Sequence, residues 1–394
     1  MTKTGLDVDL ARRDTPGCDN VVHLNNAGAA LPPECVTEAM VAHLRLESEM
    51  GGYEAADHAS RHVQNTYTAI ARLIGCDVGE VAVVENATRA WDQAFYAMRF
   101  EDGDTILTSR AEYASNVIAF LQVTARTGAR IVVVDDDEHG QISVRDLRRR
   151  INRSVKLIAL THVPTQGGLV NPAIEVGNVA KDAGITYLLD ACQSVGQLPV
   201  DVQAIGCDIL SATGRKYLRG PRGTGFLYVR DTLLPRLEPP FLDLHAAAWT
   251  SPAHYVVRPD ARRFENWETN YAAKIGLGVA IDYALTWGLD AIEERVTMLA
   301  EHLRDGLIRI PGVSVHDQGI RKCGIVTFTV DGTSAQAVQE ALSGAGINTS
   351  VSLVEYAQLD LPTRGLAGLV RASVHYYNTE AEIQRLLEVV ADIP

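Results

Sequence analysis

Residues 211–225, SATGRKYLRGPRGTG, follow the apolar run CDIL (207–210) and precede FLYV (226–229). A buried strand therefore runs into this stretch and another runs out of it. Lys216 is held between them in a turn of small, hydroxylated and basic residues. Glycine lets a backbone approach a ligand closely, and hydroxyl and guanidinium groups hold phosphate. A lysine placed there, desolvated or beside a second cation such as Arg215, can form a Schiff base with an aldehyde cofactor. Taken alone, the pattern fits a surface turn with a solvated lysine equally well.

Asp190 changes the balance. It ends the apolar run ITYLLD (185–190), and a carboxylate at the end of a buried strand is costly unless it has a partner. An acid facing a pyridinium nitrogen, with a lysine on the aldehyde carbon, is the pairing that pyridoxal 5′-phosphate (PLP) requires. Strand–helix–strand alternation through this half predicts a mainly parallel sheet with helices on both faces. Ligand-carrying loops then belong at the strand C-termini.

LLDACQSVGQLPVD (188–201) followed by CDILSATGRKYLRGPRGTGFLYV (207–229) resembles the class V aminotransferase family of fold-type I PLP enzymes. That family includes cysteine desulfurases, selenocysteine lyases, isopenicillin N epimerases and C–S lyases. The resemblance runs from LNNAG at Leu24 to YYNTEAE at Tyr376. It implies an α/β fold with a large, mainly parallel PLP-binding domain over 20–290. A smaller C-terminal α/β domain follows over 291–394, joined by residues 1–19 as an N-terminal arm. It also implies a homodimer, with sites built across two subunits.

The resemblance assigns roles position by position. Lys216 forms the Schiff base and is the base for the substrate Cα proton. Asp190 pairs with the pyridine nitrogen, and Gln193 meets the phenolic oxygen. Thr213 and Arg215 stand where the family places a phosphate-binding Ser/Thr and a histidine. Ala87, Thr88 and Arg89 match the phosphate-binding turn, where a helix N-terminus offers backbone N–H groups; Thr88 also suits a simple N-cap. Tyr113 occupies the position of a histidine that stacks on the ring in desulfurases. Tyrosine can stack too, but its ordinary pKa of about 10 suits it poorly to a proton relay near neutral pH. Thr165 and Gln166 align with an Asn–Glu pair, which gives Thr165 a contact with the phenolic oxygen. Arg371, in VRASVHYYNTEAE (370–382), matches the arginine that holds an amino acid α-carboxylate.

Three further segments are candidates. Asn25, Asn26 and Gly28 resemble the family's segment at the active-site mouth, with Asn26 as a substrate contact, or are plain turn chemistry. The GGY at 51–53 resembles a stretch in ergothioneine-pathway C–S lyases and makes Tyr53 a substrate-facing candidate. RRFENWETN (262–270) resembles a segment that reaches the neighbouring subunit's cofactor phosphate. Thr269 is then a phosphate ligand, and Arg263 with Glu265 are alternatively an ion pair. The sequence around it, from 242 to 270, reads as a long dimer-facing surface loop.

Desulfurases carry a nucleophilic cysteine on the loop before the arginine. INTSVSLVEYAQLDLPTRGLAGL (347–369) contains none, and Cys323 lies on a predicted strand. The expectation is therefore a PLP enzyme acting on an amino acid by Cα deprotonation, with β-elimination of a sulfur-substituted cysteine or a related β-substituted amino acid. Transamination and epimerisation are the alternatives. A persulfide-forming desulfurase and a non-catalytic PLP-fold binding protein stand behind them.

Composition bounds the rest. The 394 residues are 46% hydrophobic with a net charge of −13, which argues against nucleic acid, whose phosphates want a basic surface. No apolar run is long enough to span a bilayer, and MTKTGLDVDLARRD (1–14) lacks the apolar core of a leader. The six cysteines are scattered without C-x-x-C spacing. The expectation is a reduced, cytoplasmic enzyme with no metal site and a small amino acid as its partner.

Overall fold

Seven short segments with few charges form the central sheet: Val81–Val84 (β1), Thr105–Thr108 (β2), Arg130–Val133 (β3), Val155–Thr161 (β4), Thr186–Asp190 (β5), Ile209–Thr213 (β6) and Gly225–Val229 (β7). The computed structural model of the chain describes residues 6–393. The sheet order is β1-β7-β6-β5-β4-β2-β3. β7 runs antiparallel to both its neighbours, and every other pairing from β6 to β3 is parallel. β1, β2, β6 and β7 are buried throughout, whereas edge strand β3 begins with exposed Arg130. Burial on both faces explains why the strands read as continuous apolar runs without polar alternation.

Helices Glu34–Met50 (α1), Ser60–Ile74 (α2), Ala87–Phe95 (α3), Ala114–Thr127 (α4), Ala173–Ala183 (α5), Tyr271–Trp287 (α6) and Leu289–Ile308 (α7) build the layers around it. Two apolar clusters lie on opposite sides of the sheet. One joins Ile70, Ile158, Leu189 and Phe226. The other joins Trp91, Phe120, Leu157 and Leu227. Because β1, β2, β4, β5 and β6 point the same way, the loops that follow them meet along one edge. β1 leads into α3 there, and Gly225 makes this possible. A Cβ on Gly225 would lie 2.6 Å from the Asn86 carbonyl carbon and 2.8 Å from the Ala87 nitrogen.

A second core collects the last third of the chain. Strands 313–315, 325–330, 350–353 and 368–373 form an antiparallel sheet. Val326, Phe328, Val370 and Leu386 pack there with Ala11, Cys18, Val22 and Leu24 from the N-terminal segment. Residues 8–13 are helical with Ala11 fully buried, and Arg12 donates to Glu382 (2.9 Å). Val22–His23 pairs in parallel with Ile347–Asn348. Ala11, Cys18, Val22 and Leu24 are thus an integral part of this core.

One expected loop is partly regular. Ala247–Ser251 and His254–Val257 form an antiparallel hairpin. Nearly all of it is exposed, so neither face carries the one-sided alternation by which strands are read. Among the described residues no single helix is long and apolar enough to cross a membrane.

Candidate active site

Lys216 lies just past β6 and is 8% exposed. Its turn is closed by backbone bonds from Gly214 N to Thr224 O (3.0 Å) and from Gly220 N to Gly214 O (2.8 Å). Arg219 pins the far side. It is the one non-glycine residue at positive φ (59°) among the described residues, a backbone state that costs about 1–2 kcal/mol for an L-residue. Its buried guanidinium offsets that cost by donating to Leu31 O (2.9 Å) and the Tyr376 hydroxyl (2.6 Å). The Tyr377 ring lies 4.6 Å from it. Both chain ends thereby brace the loop that presents Lys216.

Burial lowers the Lys216 amine to about 8. Arg215 and Arg371 push in the same direction, while Cys192 and Asp190 oppose them. A neutral amine is the form that condenses with an aldehyde, so burial and two guanidinium groups prepare Lys216 for that step.

Asp190 closes β5 in the register beside Thr161 of β4. Its Oδ1 accepts from Cys192 N (2.9 Å) and its Oδ2 from Asn116 Nδ2 (3.1 Å). Asp190 and Lys216 line one cleft. Ala87, Thr88, Tyr113, Thr165, Gln193, Thr213 and Arg215 also line it. At one end α3 begins. Asn86 caps that helix by accepting from Arg89 N (2.9 Å), and the first-turn amides of Ala87 and Thr88 have no intrahelical partner. Such an end attracts anions.

Arg371 lies on the other flank, 7% exposed. Nη1 donates to Thr165 Oγ1 (2.5 Å) and Nη2 to Asn25 Oδ1 (3.3 Å). Its Nε is buried without a partner. No carboxylate forms an ion pair with it among the described residues, and burial lowers its pKa to about 10. A buried guanidinium with an open donor calls for an anion. Thr165 Oγ1 also accepts from Gln193 Nε2 (3.1 Å). Neither nitrogen can accept, so the Thr165 hydroxyl hydrogen is free to donate elsewhere.

These features fit PLP from end to end. Backbone amides and hydroxyls at Ala87, Thr88 and Thr213 suit a phosphate, Tyr113 flanks the cleft, Asp190 suits a pyridinium nitrogen, and Lys216 lies within reach of both ends. Arg215 lines the cleft while donating to Gly28 O, so in this structure its guanidinium also ties the turn to the N-terminal segment.

Three expected contacts lie elsewhere. Asn26 is fully buried and structural: Nδ2 donates to Ser373 O (2.7 Å), and Oδ1 accepts from the Tyr377 hydroxyl (2.5 Å). The short helix Asn26–Ala29 turns it inward and leaves its neighbour Asn25 beside Arg371. Tyr53, 67% exposed on Gly52–His58, is outside the cleft because Gly51 starts a separate helix at φ 97°. The Arg89 guanidinium covers the Phe241 ring at 5.1 Å. Thr269, half-buried between exposed Glu268 and Asn270, does not line the cleft of its own chain, and its expected contact is with the neighbouring subunit. Nor do Arg263 and Glu265 pair. Arg263 donates to Leu234 O (2.8 Å), and Glu265 accepts from Val83 N (2.8 Å) and Tyr67 (2.8 Å) beside Lys274 (3.5 Å).

Sequence reasoning gave no role to Asn86, Asn116 and Thr161. Asn86 had a signal, an N-cap residue one position before a helical pattern. Asn116 lies one helical turn beyond Glu112, the spacing that places two side chains on one face.

The model of the aminotransferase class-V family matches residues 22–386. A protein of Methanothermobacter thermautotrophicus named a probable cysteine desulfurase is 30% identical, the match covering 97% of each chain. The apo structure of a cysteine desulfurase from Thermococcus onnurineus NA1 superposes with a TM-score of 0.91 at 26% identity, covering 100% of this chain and 99% of that one. A complex of the cystine C–S lyase C-DES with its reaction product cysteine persulfide superposes with a TM-score of 0.87 at 23% identity, covering 96% and 99%. The chain belongs to the class-V aminotransferase family, and it is a PLP-dependent enzyme.

The depressed Lys216 amine has a measurable consequence. The rate at which apo protein gains a visible chromophore on mixing with PLP is expected to rise through pH about 8. A rise centred instead near the ordinary lysine value of about 10.4 would contradict a desolvated Lys216.

Proposed function

We propose that this protein is a PLP-dependent C–S lyase that eliminates the sulfur substituent from a β-substituted cysteine. The observation that carries this reading is the state of its thiols. Burial raises the pKa of all six cysteines, Cys192 in the cleft included. The thiolate is the nucleophile, and none is prepared here. The stretch 347–369, where desulfurases carry theirs, has no cysteine. Lys216, Asp190 and Arg371 are all in place. The reading is also in keeping with the likeness to C-DES, a cystine C–S lyase.

When bound, PLP supplies an aldehyde carbon for the substrate amine and a ring that takes up the electron pair released at Cα. The chain supplies the rest. Arg371 holds the α-carboxylate through its open Nε and its Nη groups and fixes which Cα bond faces Lys216. Lys216 Nζ, whose burial favours its neutral form, removes the Cα proton and can return it to the departing sulfur. Asp190, held by Cys192 N and Asn116, presents its carboxyl group in the cleft. Hydrolysis after the thiol leaves gives pyruvate and ammonia, so one water is consumed for each thiol, pyruvate and ammonium released.

The reading extends to assembly. Phe241, Leu244, Trp249, Tyr255, Val256 and Trp267 are exposed large apolar side chains within one 27-residue segment. A second copy of the chain is the occupant we infer, which would bring 266–270 beside the partner's cleft. Such a concentration is unusual on a monomer's surface.

Incubation with cysteine S-conjugates and cystine is expected to yield pyruvate, ammonia and free thiol or persulfide in equal amounts, with no sulfur retained on the protein by mass spectrometry. Sulfur bound stoichiometrically to a cysteine would favour a desulfurase. Stoichiometric 2-oxo acid without β-bond cleavage would favour transamination. In sedimentation the protein is expected to be a dimer, with Trp249→Glu and Tyr255→Glu together driving it to monomer and lowering activity at least about tenfold; a fully active monomer would remove the assembly proposal.

A further inference from the structure

Linked to Asp190 through Asn116, and outside the lining of the cleft, lies a second carboxylate. Glu112 is 2% exposed, in the turn between β2 and α4. No lysine or arginine pairs with it among the described residues. Its oxygens are taken up by neutral donors instead. Oε1 accepts from Tyr113 N (2.9 Å), from Asn116 Nδ2 (2.9 Å) and from the Thr161 hydroxyl. Oε2 accepts from the Thr108 hydroxyl (2.9 Å) and from Thr161 N (3.2 Å). Each oxygen faces at least one N–H group that cannot accept, so the carboxylate is fixed in plane and direction.

The bond that leads outward from this cluster runs through Asn116. An amide nitrogen carries two hydrogens. One goes to Glu112 Oε1, and the other to Asp190 Oδ2 at 3.1 Å. A flipped amide would turn its oxygen toward two carboxylates, so the orientation of Asn116 is determined by both acids at once. Asp190 Oδ1 is meanwhile held by Cys192 N. Each oxygen is thus engaged by one donor, which leaves lone-pair capacity on the Asp190 carboxylate for a ligand in the cleft it lines. Without Glu112, Asn116 has no second anchor and Asp190 loses the group that sets its Oδ2.

We propose that Glu112 is a positioning residue for the cofactor: through Asn116 it fixes the Asp190 carboxylate in the direction that receives a pyridinium nitrogen. The bland alternative is that Glu112 only staples the ends of β2 and β4 to the start of α4. Thermodynamic coupling separates the two, because positioning must act through Asp190 and stapling need not. The inference rests on the cofactor of the site and not on which substrate bond is broken, so it is testable without a substrate.

The test is fluorescence titration of apo protein with PLP for Glu112→Gln, Asp190→Asn and the double variant, with apo melting temperatures alongside. Glu112→Gln is expected to weaken PLP binding about tenfold in the native background and less than about twofold in the Asp190→Asn background, the coupling expected of residues in one hydrogen-bond network. Asn116→Ala, which leaves the other four bonds to Glu112 intact, is expected to reproduce that pattern with little change in apo melting temperature, and it decides the matter if Glu112→Gln does not fold. An unchanged PLP affinity, or an equal loss with and without the Asp190 carboxylate, would overturn the proposal.

Discussion

Too much positive charge is buried in one place. Lys216 and Arg215 line a cleft whose single carboxylate is Asp190, Arg371 adjoins it through Thr165, and none of the three cations has an acid within ion-pair distance among the described residues. The chain as a whole carries −13, so this is a local arrangement. Burial, and to a smaller degree the like charge of Arg215, lowers the proton affinity of both Lys216 and Arg371. Anionic ligands relieve the excess. A phosphate monoester brings up to about two negative charges and an amino acid carboxylate one more. The same imbalance that favours those ligands makes the lysine reactive.

The fold exists at this point to hold cations that would otherwise move apart or reach water. The parallel strands bring five loop starts to one edge. Gly225 lets the N-terminus of α3 press against β7, which sets the anion-binding end. Arg219, strained and braced by both chain ends, keeps the Lys216 turn from relaxing. Lys274 makes an instructive contrast. It is also buried, but it lies beside Glu265 (3.5 Å) and the Tyr67 hydroxyl (2.9 Å). A paired lysine of that kind fastens structure, whereas an unpaired one is available for chemistry.

Much of this was legible in the chain because local sequence and local geometry coincide there. Lys216, Asp190, Gln193, Thr213 and the 87–88 turn all lie within a few residues of a strand end, where an apolar run stops and a ligand loop starts. The parallel sheet followed from uninterrupted apolar runs between amphipathic helices. The misses share a physical cause, since each depends on contacts made far along the chain. Asn25 and Asn26 are adjacent and chemically identical, and only the partners Ser373, Tyr377 and Arg371 decide which one is structural. Arg263 and Glu265 looked like a pair by spacing, yet each found its partners elsewhere. The 247–257 hairpin gave no signal because its large apolar residues Trp249, Tyr255 and Val256 are exposed.

The central claim is that Lys216, and no other lysine, is poised as the reactive amine. Borohydride reduction of the PLP-loaded protein, followed by peptide mass mapping, tests it directly. The account predicts one pyridoxyl label, on Lys216, with label and visible chromophore both lost in Lys216→Ala. A label on Lys274 or on a surface lysine, or a chromophore that survives the substitution, would contradict it.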